Sequence, residues 1–252
     1  MYPDADLLFP SLLAVMVVGG SAIHFLLLRS EGIDLGSVLP FYGAFVLVAF
    51  AGAKLFSGWV DGSLALVRFD VGYRYPGAIV AVILSLPILV RLLPSEVTLA
   101  RWTDLLCPGM GISLATYRVG CFFAGCCGGT VSALPWALAF QRRSETWWSQ
   151  VDAGLIPAEA TVTLPVHPLQ LYFLGLSLAV GVSSFWLLPR KRYHGQVLLW
   201  FLVVHESGRF LLEFLRFPRS AALQLVSGLA ALAAILALVI RVSPPPAESL
   251  RT

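Results

Sequence analysis

The amino-acid sequence predicts an all-α integral membrane protein with seven transmembrane helices. The first observation is composition: of 252 residues, 58% are hydrophobic and 12% are charged, whereas soluble domains carry roughly 25% charged residues. The second is a series of seven apolar segments, each close to the roughly 20 residues that cross a bilayer. The third is a modest excess of lysine and arginine in alternate connections, as in multi-pass membrane proteins. A soluble chain of this composition would expose apolar patches that promote aggregation.

The seven predicted spans are joined by short connections, except in one place. They are Leu7–Leu28, Gly36–Trp59, Val71–Leu93, Trp102–Gly125, Pro168–Leu188, Gly195–Leu215 and Ala221–Ile240. The third, fourth and sixth contain charged residues, so hydropathy supports them least. Together they predict one transmembrane domain over residues 1–243, with a long extracytoplasmic loop at about 129–167. The tail at 244–252 has the composition of a disordered segment.

The basic residues predict the orientation of the chain. One set of connections holds Arg29, Arg91, Arg101, Arg190, Lys191, Arg192 and Arg241, and the other holds Arg68, Arg142, Arg143, Arg216 and Arg219. Cytoplasmic connections are enriched in lysine and arginine, and RKRYH at 190–194 is the strongest part of this bias. We therefore expect the N-terminus outside, the C-terminus in the cytoplasm and the long loop on the outer side.

Charge, cysteine content and the N-terminal sequence argue against three other features. A formal net charge of +3, scattered along the chain, gives no basic surface for nucleic acid. Four cysteines in a chain of this length do not make a disulfide framework. The N-terminal sequence MYPDAD is acidic rather than basic, so we expect no cleavable signal peptide.

The sixth span carries an unusual set of charges. In VVHESGRFLLEFLRFP, Arg209, Glu213 and Arg216 follow one another at i, i+4 and i+7, and His205 precedes Arg209 by four residues. On a continuous helix this spacing places the side chains on one face. One interpretation is an ion-pair ladder between helices. The other is a site for an anionic group, because arginine can bind phosphate through two parallel hydrogen bonds.

Other spans also contain cations at membrane depth. Lys54 lies in the second span, Arg74 near the start of the third and Arg118 within the fourth. The acids Glu206 and Glu213 can neutralise only part of this charge. Because unpaired charge is costly within a membrane, we expect a phospholipid headgroup from the outer leaflet to supply the missing anion.

The segment VHPLQLYFLG at 166–175 opens the fifth span. Pro168 suits a first helical turn, where its missing N–H costs nothing. His167 immediately precedes this turn, and Gln170 and Tyr172 lie within the first turns. His167 can serve as an interfacial anchor, or it can orient a headgroup or move a proton beside a polar cavity.

The segment YRVGCFFAGCCGG at 117–129 contains three cysteines, Cys121, Cys126 and Cys127. Their i, i+5, i+6 spacing differs from the paired spacing of structural zinc sites, which disfavours zinc. A vicinal disulfide would be strained, while a bridge between other cysteines stays open in an oxidising compartment. The two main interpretations are packing by small apolar thiols and a reactive thiolate near Arg118. Glycines at 120, 125, 128 and 129 permit a close approach of backbones.

These motifs together resemble the prolipoprotein diacylglyceryl transferase family. The family signature Gly-Arg-hydrophobic-Gly-Asn-Phe-x-Asn-Gly-Glu-x-x-Gly is matched at Arg118, Gly120, Phe122, Gly125 and Gly129. HPLQLY at 167–172 is similar to His-Pro-Ser-Gln-Leu-Tyr, and GRFLLEFLRFP at 208–218 contains Arg-x-x-x-Glu-Phe-x-Arg. LQLVS at 223–227 is similar to the Gln-x-x-Ser element of the last helix. The resemblance covers about residues 54–227 and keeps the order and spacing of the motifs.

The sequence departs from the family pattern at several polar positions. Pro76 stands where the family has a histidine, Cys121 and Ala124 stand at two asparagines, Cys126 stands at a glutamate, and Ala53-Lys54 replaces Gly-Arg. The tyrosine motif of the first helix has no clear counterpart. The arginines are kept while the proposed base of the family is absent.

The resemblance implies transfer of a diacylglyceryl group from phosphatidylglycerol to the lipobox cysteine thiol of a prolipoprotein, with release of glycerol phosphate. It implies catalytic roles for Arg118 and Arg209, which stabilise the leaving phosphate, and for His167. The base stays open between His167, His205 and a cysteine thiolate. The expected substrate-binding residues are Gly120, Cys121, Gly125, Cys126, Gln170, Tyr172, Glu213, Arg216, Lys54 and Arg74.

The implied setting is the bacterial cytoplasmic (inner) membrane, with the active site on the extracytoplasmic side. The expected partners are phosphatidylglycerol or another anionic phospholipid, a prolipoprotein signal peptide and the membrane, with no nucleic acid. We expect no cofactor and no metal. Two alternatives stay open because of the departures: a related lipid transferase that uses cysteine chemistry on a different acceptor, and a non-enzymatic protein that binds anionic lipid.

Overall fold

The computed structural model describes residues 5–60 and 75–242, and no β-strand occurs within these ranges. The helices are α1 (Ala5–Ser30), α2 (Leu35–Val60), α3 (Tyr75–Leu89), α4 (Leu99–Ala124), α5 (Glu145–Asp152), α6 (Leu169–Leu187), α7 (Gln196–Leu212) and α8 (Ala221–Val242). Short 3-10 turns follow three of them, at Val90–Leu92, Leu188–Arg190 and Glu213–Leu215. The prediction of an all-helical fold is confirmed for these residues.

Each predicted span overlaps an α-helix in the residues that the structure describes, although the third and sixth end in short 3-10 turns. Three stretches are long and apolar enough to cross a membrane, namely Leu35–Trp59, Leu169–Arg190 and Ala221–Arg241. Val15–Ser30 and Val80–Leu92 are shorter apolar helices. Residues 71–74 of the third span, with Arg74, and the tail at 244–252 lie outside the described residues.

Large apolar side chains cover the outer surfaces of these helices. Leu47 is 70% exposed, Leu84 is 75% exposed and Ile240 is 72% exposed. Exposing apolar surface to water costs about 25 cal/mol per Å² relative to burying it. When lipid hydrocarbon surrounds these side chains, this cost disappears. Polar side chains such as Gln170 and Glu213 are buried instead. This distribution suits a protein whose solvent is lipid.

The long loop contains a helix that the sequence did not indicate. The Ser144 hydroxyl accepts a hydrogen bond from the Trp147 backbone N–H at 3.1 Å and thereby caps α5. The buried Trp147 indole N–H donates to the Ala160 carbonyl at 2.9 Å, and the Gln150 side chain accepts from the Leu164 N–H at 2.9 Å. These contacts make the loop an ordered lobe.

The chain forms two compact units, residues 25–102 and residues 1–24 with 103–252. Within the first unit, α2 and α3 approach each other at two glycines. A Cβ atom at Gly52 would lie only 2.5 Å from the carbonyl oxygen of Gly77, so the contact requires glycine there. Trp102 packs edge-on against Phe41, with ring centroids 4.8 Å apart.

In the second unit, Asp104 of α4 fixes the start of α7. Its buried carboxylate accepts hydrogen bonds from the backbone N–H groups of Gly195 at 2.8 Å, Val197 at 3.0 Å and Leu198 at 3.1 Å. The Lys191 ammonium lies 3.7 Å from the same carboxylate. The first N–H groups of a helix lack intrahelical partners and carry the positive end of its dipole. Asp104 therefore both caps α7 and holds it against α4.

The sixth predicted span does not continue as one helix to Arg216. Helix α7 ends at Leu212, and after the 3-10 turn Arg216 is extended, with φ −76° and ψ 144°. The prediction that Arg216 shares a helix face with Arg209 was therefore wrong. The physical reason is local: Pro218 disfavours helix in the residues before it, and the backbone at 215–217 pairs with other segments.

Close packing of α4 on α6 gives a direct test of this arrangement. A Cβ atom at Gly111 would lie 2.7 Å from the backbone nitrogen of Gly181 and 3.0 Å from the Ser177 carbonyl oxygen. We expect Gly111→Ala to destabilise the protein by about 1–3 kcal/mol, because overpacking forces the two backbones apart.

The measurement is the melting temperature of the purified protein in detergent. Gly175→Ala is the matched control, because a Cβ atom at Gly175 meets nothing within 4 Å. Equal melting temperatures for the two variants would contradict the predicted contact.

Candidate active site

Three segments that are far apart in the sequence meet just beyond the C-terminal end of α4. The Gly129 N–H donates to the His167 carbonyl at 3.1 Å, and the His167 N–H donates to the Thr130 carbonyl at 3.0 Å. The Thr130 N–H donates to the Leu215 carbonyl at 2.7 Å, and the Phe217 N–H donates to the Gly128 carbonyl at 3.3 Å. The three sequence motifs therefore form one site, which we call the junction of 128–130, 166–167 and 215–217.

Glycines allow the segments of the junction to approach so closely. A Cβ atom at Gly129 would lie 2.7 Å from the His167 Cβ and 3.0 Å from the Leu215 carbonyl oxygen. A Cβ atom at Gly128 would lie 2.5 Å from the Thr146 hydroxyl oxygen, which belongs to α5. Neither position has room for a side chain: the backbone pairing excludes one at Gly129, and the Thr146 side chain excludes one at Gly128.

Two arginines flank one aromatic ring at the junction. The Arg118 guanidinium carbon lies 4.3 Å from the centroid of the Phe173 ring, and that of Arg216 lies 5.9 Å from it. Arg216 also forms an ion pair with the buried Glu213, with Nε and Oε1 2.8 Å apart. Within the described residues, Arg118 makes no salt bridge to a carboxylate. Arg118 is thus the cation best placed to bind an external anion.

His167 belongs to a short polar chain at the start of α6. Its Nδ1 atom lies 3.3 Å from the Tyr172 hydroxyl, and the Trp136 indole N–H donates to the same hydroxyl at 2.7 Å. Because the indole is only a donor, the Tyr172 proton is free to point to Nδ1 of a neutral imidazole. That arrangement fixes the orientation of the His167 ring.

The three cysteines of the signature segment converge. The sulfur atoms of Cys121, Cys126 and Cys127 all lie within 4.8 Å of one another, and none forms a disulfide. Hydrogen bonds from the Cys121 and Cys126 thiols, followed by the charge of Arg216, hold the pKa of the Cys127 thiol below its usual value. Within the cluster, the thiolate form is therefore favoured at Cys127.

Gln170 connects the thiol cluster to α6. Its fully buried side chain donates a hydrogen bond from Nε2 to the Cys126 carbonyl. Its other polar atom, Oε1, has no hydrogen-bond partner among the described residues. Buried polar atoms are nearly always paired, so Oε1 is a position where a ligand hydroxyl can donate.

A cavity of about 450 Å³ opens beside the end of α4. Its walls are largely apolar and include Phe122, Phe123 and Phe140, while Arg142 and Arg143 lie at its polar edge. This size is within the range of small-ligand pockets. The cavity lies next to Gly125, which takes a left-handed backbone conformation with φ +63°.

The remaining predicted site residues occupy other positions. Gly120 is buried in α4. Arg209 lies on α7 and interacts with Glu206, which also contacts His205 at 2.9 Å. Lys54 is buried in α2, within the other compact unit, and Arg74 lies outside the described residues.

Sequence reasoning missed three contributors to the site. The Phe173 ring contacts the guanidinium groups of both arginines. Phe173 directly follows the HPLQLY motif, which could have indicated it. Trp136 of the long loop donates a hydrogen bond to the Tyr172 hydroxyl, a contact that the sequence analysis did not include. Thr146 donates to the Gly125 carbonyl at 2.8 Å, and no signal in the sequence indicates this contact.

Comparison with known proteins assigns the family. A family model described as "Prolipoprotein diacylglyceryl transferase" matches residues 11–242. The chain belongs to the prolipoprotein diacylglyceryl transferase family.

Relatives in this family are named as phosphatidylglycerol–prolipoprotein diacylglyceryl transferases. The chain is 27% identical over 156 residues to such a protein, numbered 2, of Clostridium perfringens, covering 62% of this chain and 55% of the relative. It is 30% identical over 151 residues to one of Bordetella avium, covering 60% and 50%. It is 30% identical over 192 residues to one of Coxiella burnetii, covering 71% and 64%.

The chain spans about half the length of the first of these relatives, 55% and 50%. No solved structure matches the chain. The family and the junction geometry are therefore the two foundations for a functional proposal.

The contact between Gln170 and the signature segment can be tested by substitution. We expect Gln170→Leu to destabilise the protein by about 1–3 kcal/mol, because the partly buried Cys126 carbonyl loses its donor. The measurement is again thermal unfolding in detergent. Gln141→Leu, at an exposed position, is the control. A Gln170→Leu protein as stable as the control would show that the hydrogen bond contributes nothing.

Proposed function

We propose that this protein transfers a diacylglyceryl group from phosphatidylglycerol to the lipobox cysteine thiol of a prolipoprotein. The observation that carries the proposal is the junction, where the three family motifs meet around Arg118 and Arg216. Membership of the family supports the same reaction. The substrates, the membrane setting and the partners all belong to this proposal.

Arg118 binds the lipid phosphate in this proposal. Its guanidinium can donate two parallel hydrogen bonds to phosphate oxygens, and no carboxylate of the described residues competes for it. An apolar surrounding strengthens that attraction relative to water. The Gln170 Oε1 atom then accepts a hydrogen bond from a hydroxyl of the glycerol headgroup.

The reaction is a substitution at C3 of the diacylglycerol unit. The acceptor sulfur forms a bond to C3 while the bond from C3 to the phosphate oxygen breaks, and glycerol phosphate leaves with that electron pair. Fixed cations lower the barrier because negative charge grows on the leaving phosphate. Arg118 is the primary candidate for this role, and Arg209 is the second.

His167 is the side chain best suited to orient the headgroup or accept a proton. Pro76, which stands where the family has a histidine, lies in the first turn of α3. His167 belongs to the junction and is held by Tyr172, whereas His205 is paired with Glu206 on α7. We therefore favour His167 over His205.

The proposal includes a bacterial inner-membrane protein with seven spans in a single domain over residues 1–243. The N-terminus is outside, the C-terminus is cytoplasmic and the loop of 129–167 faces outward. The excess of basic residues at 190–194 supports this orientation. The signal peptide of the acceptor then reaches the junction from the membrane, beside the cavity at Phe122.

Transfer activity gives the direct test of the arginines. We expect Arg118→Ala to lower the rate of transfer from phosphatidylglycerol to a lipobox peptide by about 100-fold or more, as for loss of one transition-state donor. Arg209→Ala should also lower it. Arg192→Ala, at an exposed position in a connection, is the matched control. Full activity of both Arg118→Ala and Arg209→Ala would refute the assignment.

His167 requires a separate measurement. We expect His167→Ala to lower kcat more than it raises KM and to change the pH dependence of kcat, because a proton-accepting group is removed. Tyr172→Phe should keep the pH dependence and lose only part of the activity, because the ring of His167 loses one of its contacts. An unchanged pH profile for His167→Ala would exclude it as the base.

A further inference from the structure

The turn that ends α4 brings three cysteines together despite their unusual spacing. Gly125 reverses the chain with φ +63°, and the Cys126 N–H returns to the Cys121 carbonyl at 3.1 Å. Cys127 then takes φ 58°, a left-handed conformation that few residues other than glycine adopt. Such a conformation costs free energy and tends to mark a functional position. The fold therefore aims Cys126 and Cys127 back over Cys121.

The distances between the sulfur atoms fit a metal ion. All three lie within 4.8 Å of one another, and three thiolates about 2.3 Å from a tetrahedral zinc ion are about 3.8 Å apart. Small side-chain rotations of Cys126 and Cys127, which are only partly buried, close that difference. The sequence spacing argued against zinc because the chain lacks a second pair of cysteine ligands. The turn nevertheless brings the three sulfur atoms together, which the spacing alone does not reveal.

Two positive charges lie near the cluster. The guanidinium group of Arg216 acts electrostatically on Cys127, and that of Arg118 acts on Cys121. Three neutral thiols packed as small apolar groups would gain little from two neighbouring guanidinium groups. Three thiolates need more positive charge than these arginines supply, and a divalent ion compensates them better than a monovalent one.

We propose that Cys121, Cys126 and Cys127 bind a Zn²⁺ ion through three thiolates and leave its fourth position open. Thiolate ligands select soft or borderline ions such as zinc and copper(I). Three protein ligands with one open position are the arrangement of catalytic rather than structural zinc. Two of the three ligands, Cys121 and Cys126, stand at positions where this chain departs from its family signature.

The acceptor thiol of the substrate can occupy the open position on the zinc ion. This step rests on the proposed function. The acceptor of the reaction is a thiol, and a thiol that coordinates zinc is deprotonated outright. Its proton passes to His167, the favoured proton acceptor, and the bound sulfur keeps the electron pair that forms the bond to C3. The ion thus activates the acceptor thiol. Pro76, which stands where the family has a histidine, has no proton-accepting group for this task.

Metal analysis tests the site on the full-length protein in detergent. The purified chain is equilibrated with Zn²⁺ and separated from unbound ions. Elemental mass spectrometry then measures the amount of bound zinc per chain. We expect about one zinc per chain, and its loss in Cys121→Ser, Cys126→Ser and Cys127→Ser. Cys107→Ser is the control, because Cys107 lies in the first half of α4, away from the cluster at its C-terminal end, and donates to the Thr103 carbonyl. No bound zinc in the unmodified chain, or copper alone at these thiols, would overturn the proposal.

Thiol alkylation of the unmodified chain covers the case in which a variant fails to fold. Bound zinc should protect the partly exposed Cys126 and Cys127 from iodoacetamide, and a chelator should make these two thiols reactive, as mapped by peptide mass spectrometry. Equal alkylation with and without zinc, or a disulfide between Cys121 and Cys126 in the isolated protein, would refute the metal site.

The fourth position is tested with cobalt in place of zinc. Adding a lipobox peptide should strengthen the thiolate-to-cobalt charge-transfer absorption, while the same peptide with serine for cysteine should not. An unchanged spectrum, or undiminished transfer by the zinc-free protein, overturns the role in acceptor activation. Zinc binding without any lipid transfer instead refutes the proposed function and leaves the metal site standing, so the two failures are distinguishable.

Discussion

The backbone pairing at the junction is the constraint on which the rest of the site depends. Segments 128–130, 166–167 and 215–217 are all irregular, yet they satisfy one another's N–H and carbonyl groups. Within or beside a membrane, unpaired backbone groups are costly, so irregular backbone persists only where protein groups pair it. This pairing sets the glycines at 128 and 129, ends α7 before Arg216 and brings two guanidinium groups to the Phe173 ring.

Support for the junction extends to the opposite end of the helices. Asp104 caps α7 from α4, and the contact of Gly111 with Gly181 sets the distance between α4 and α6. With little hydrophobic drive between helices in lipid, close packing and buried hydrogen bonds carry the association. The three helices that deliver Arg118, Phe173 and Glu213 are thus fixed along their length.

The sequence predicted the helices well because an apolar run of about 20 residues has few alternatives in a bilayer. It also indicated the arginines, since charge at membrane depth is rare, and the family resemblance indicated the HPLQLY motif. The sequence did not predict three features: the end of α7, the role of Trp136, and the convergence of Cys121 with Cys126 and Cys127. Each depends on a turn or on a partner far along the chain, and residue spacing carries no information about either.

The pairing of Gly128 with Phe217 has a consequence for biosynthesis. The signature segment is complete early in the chain, but its carbonyl and N–H groups find their partners only after 166–167 and 215–217 exist. At about 5–20 residues per second of synthesis, the segment waits several seconds in or beside the membrane. A nascent chain that stops before residue 215 can therefore contain the signature segment and the HPLQLY motif and still lack an assembled centre.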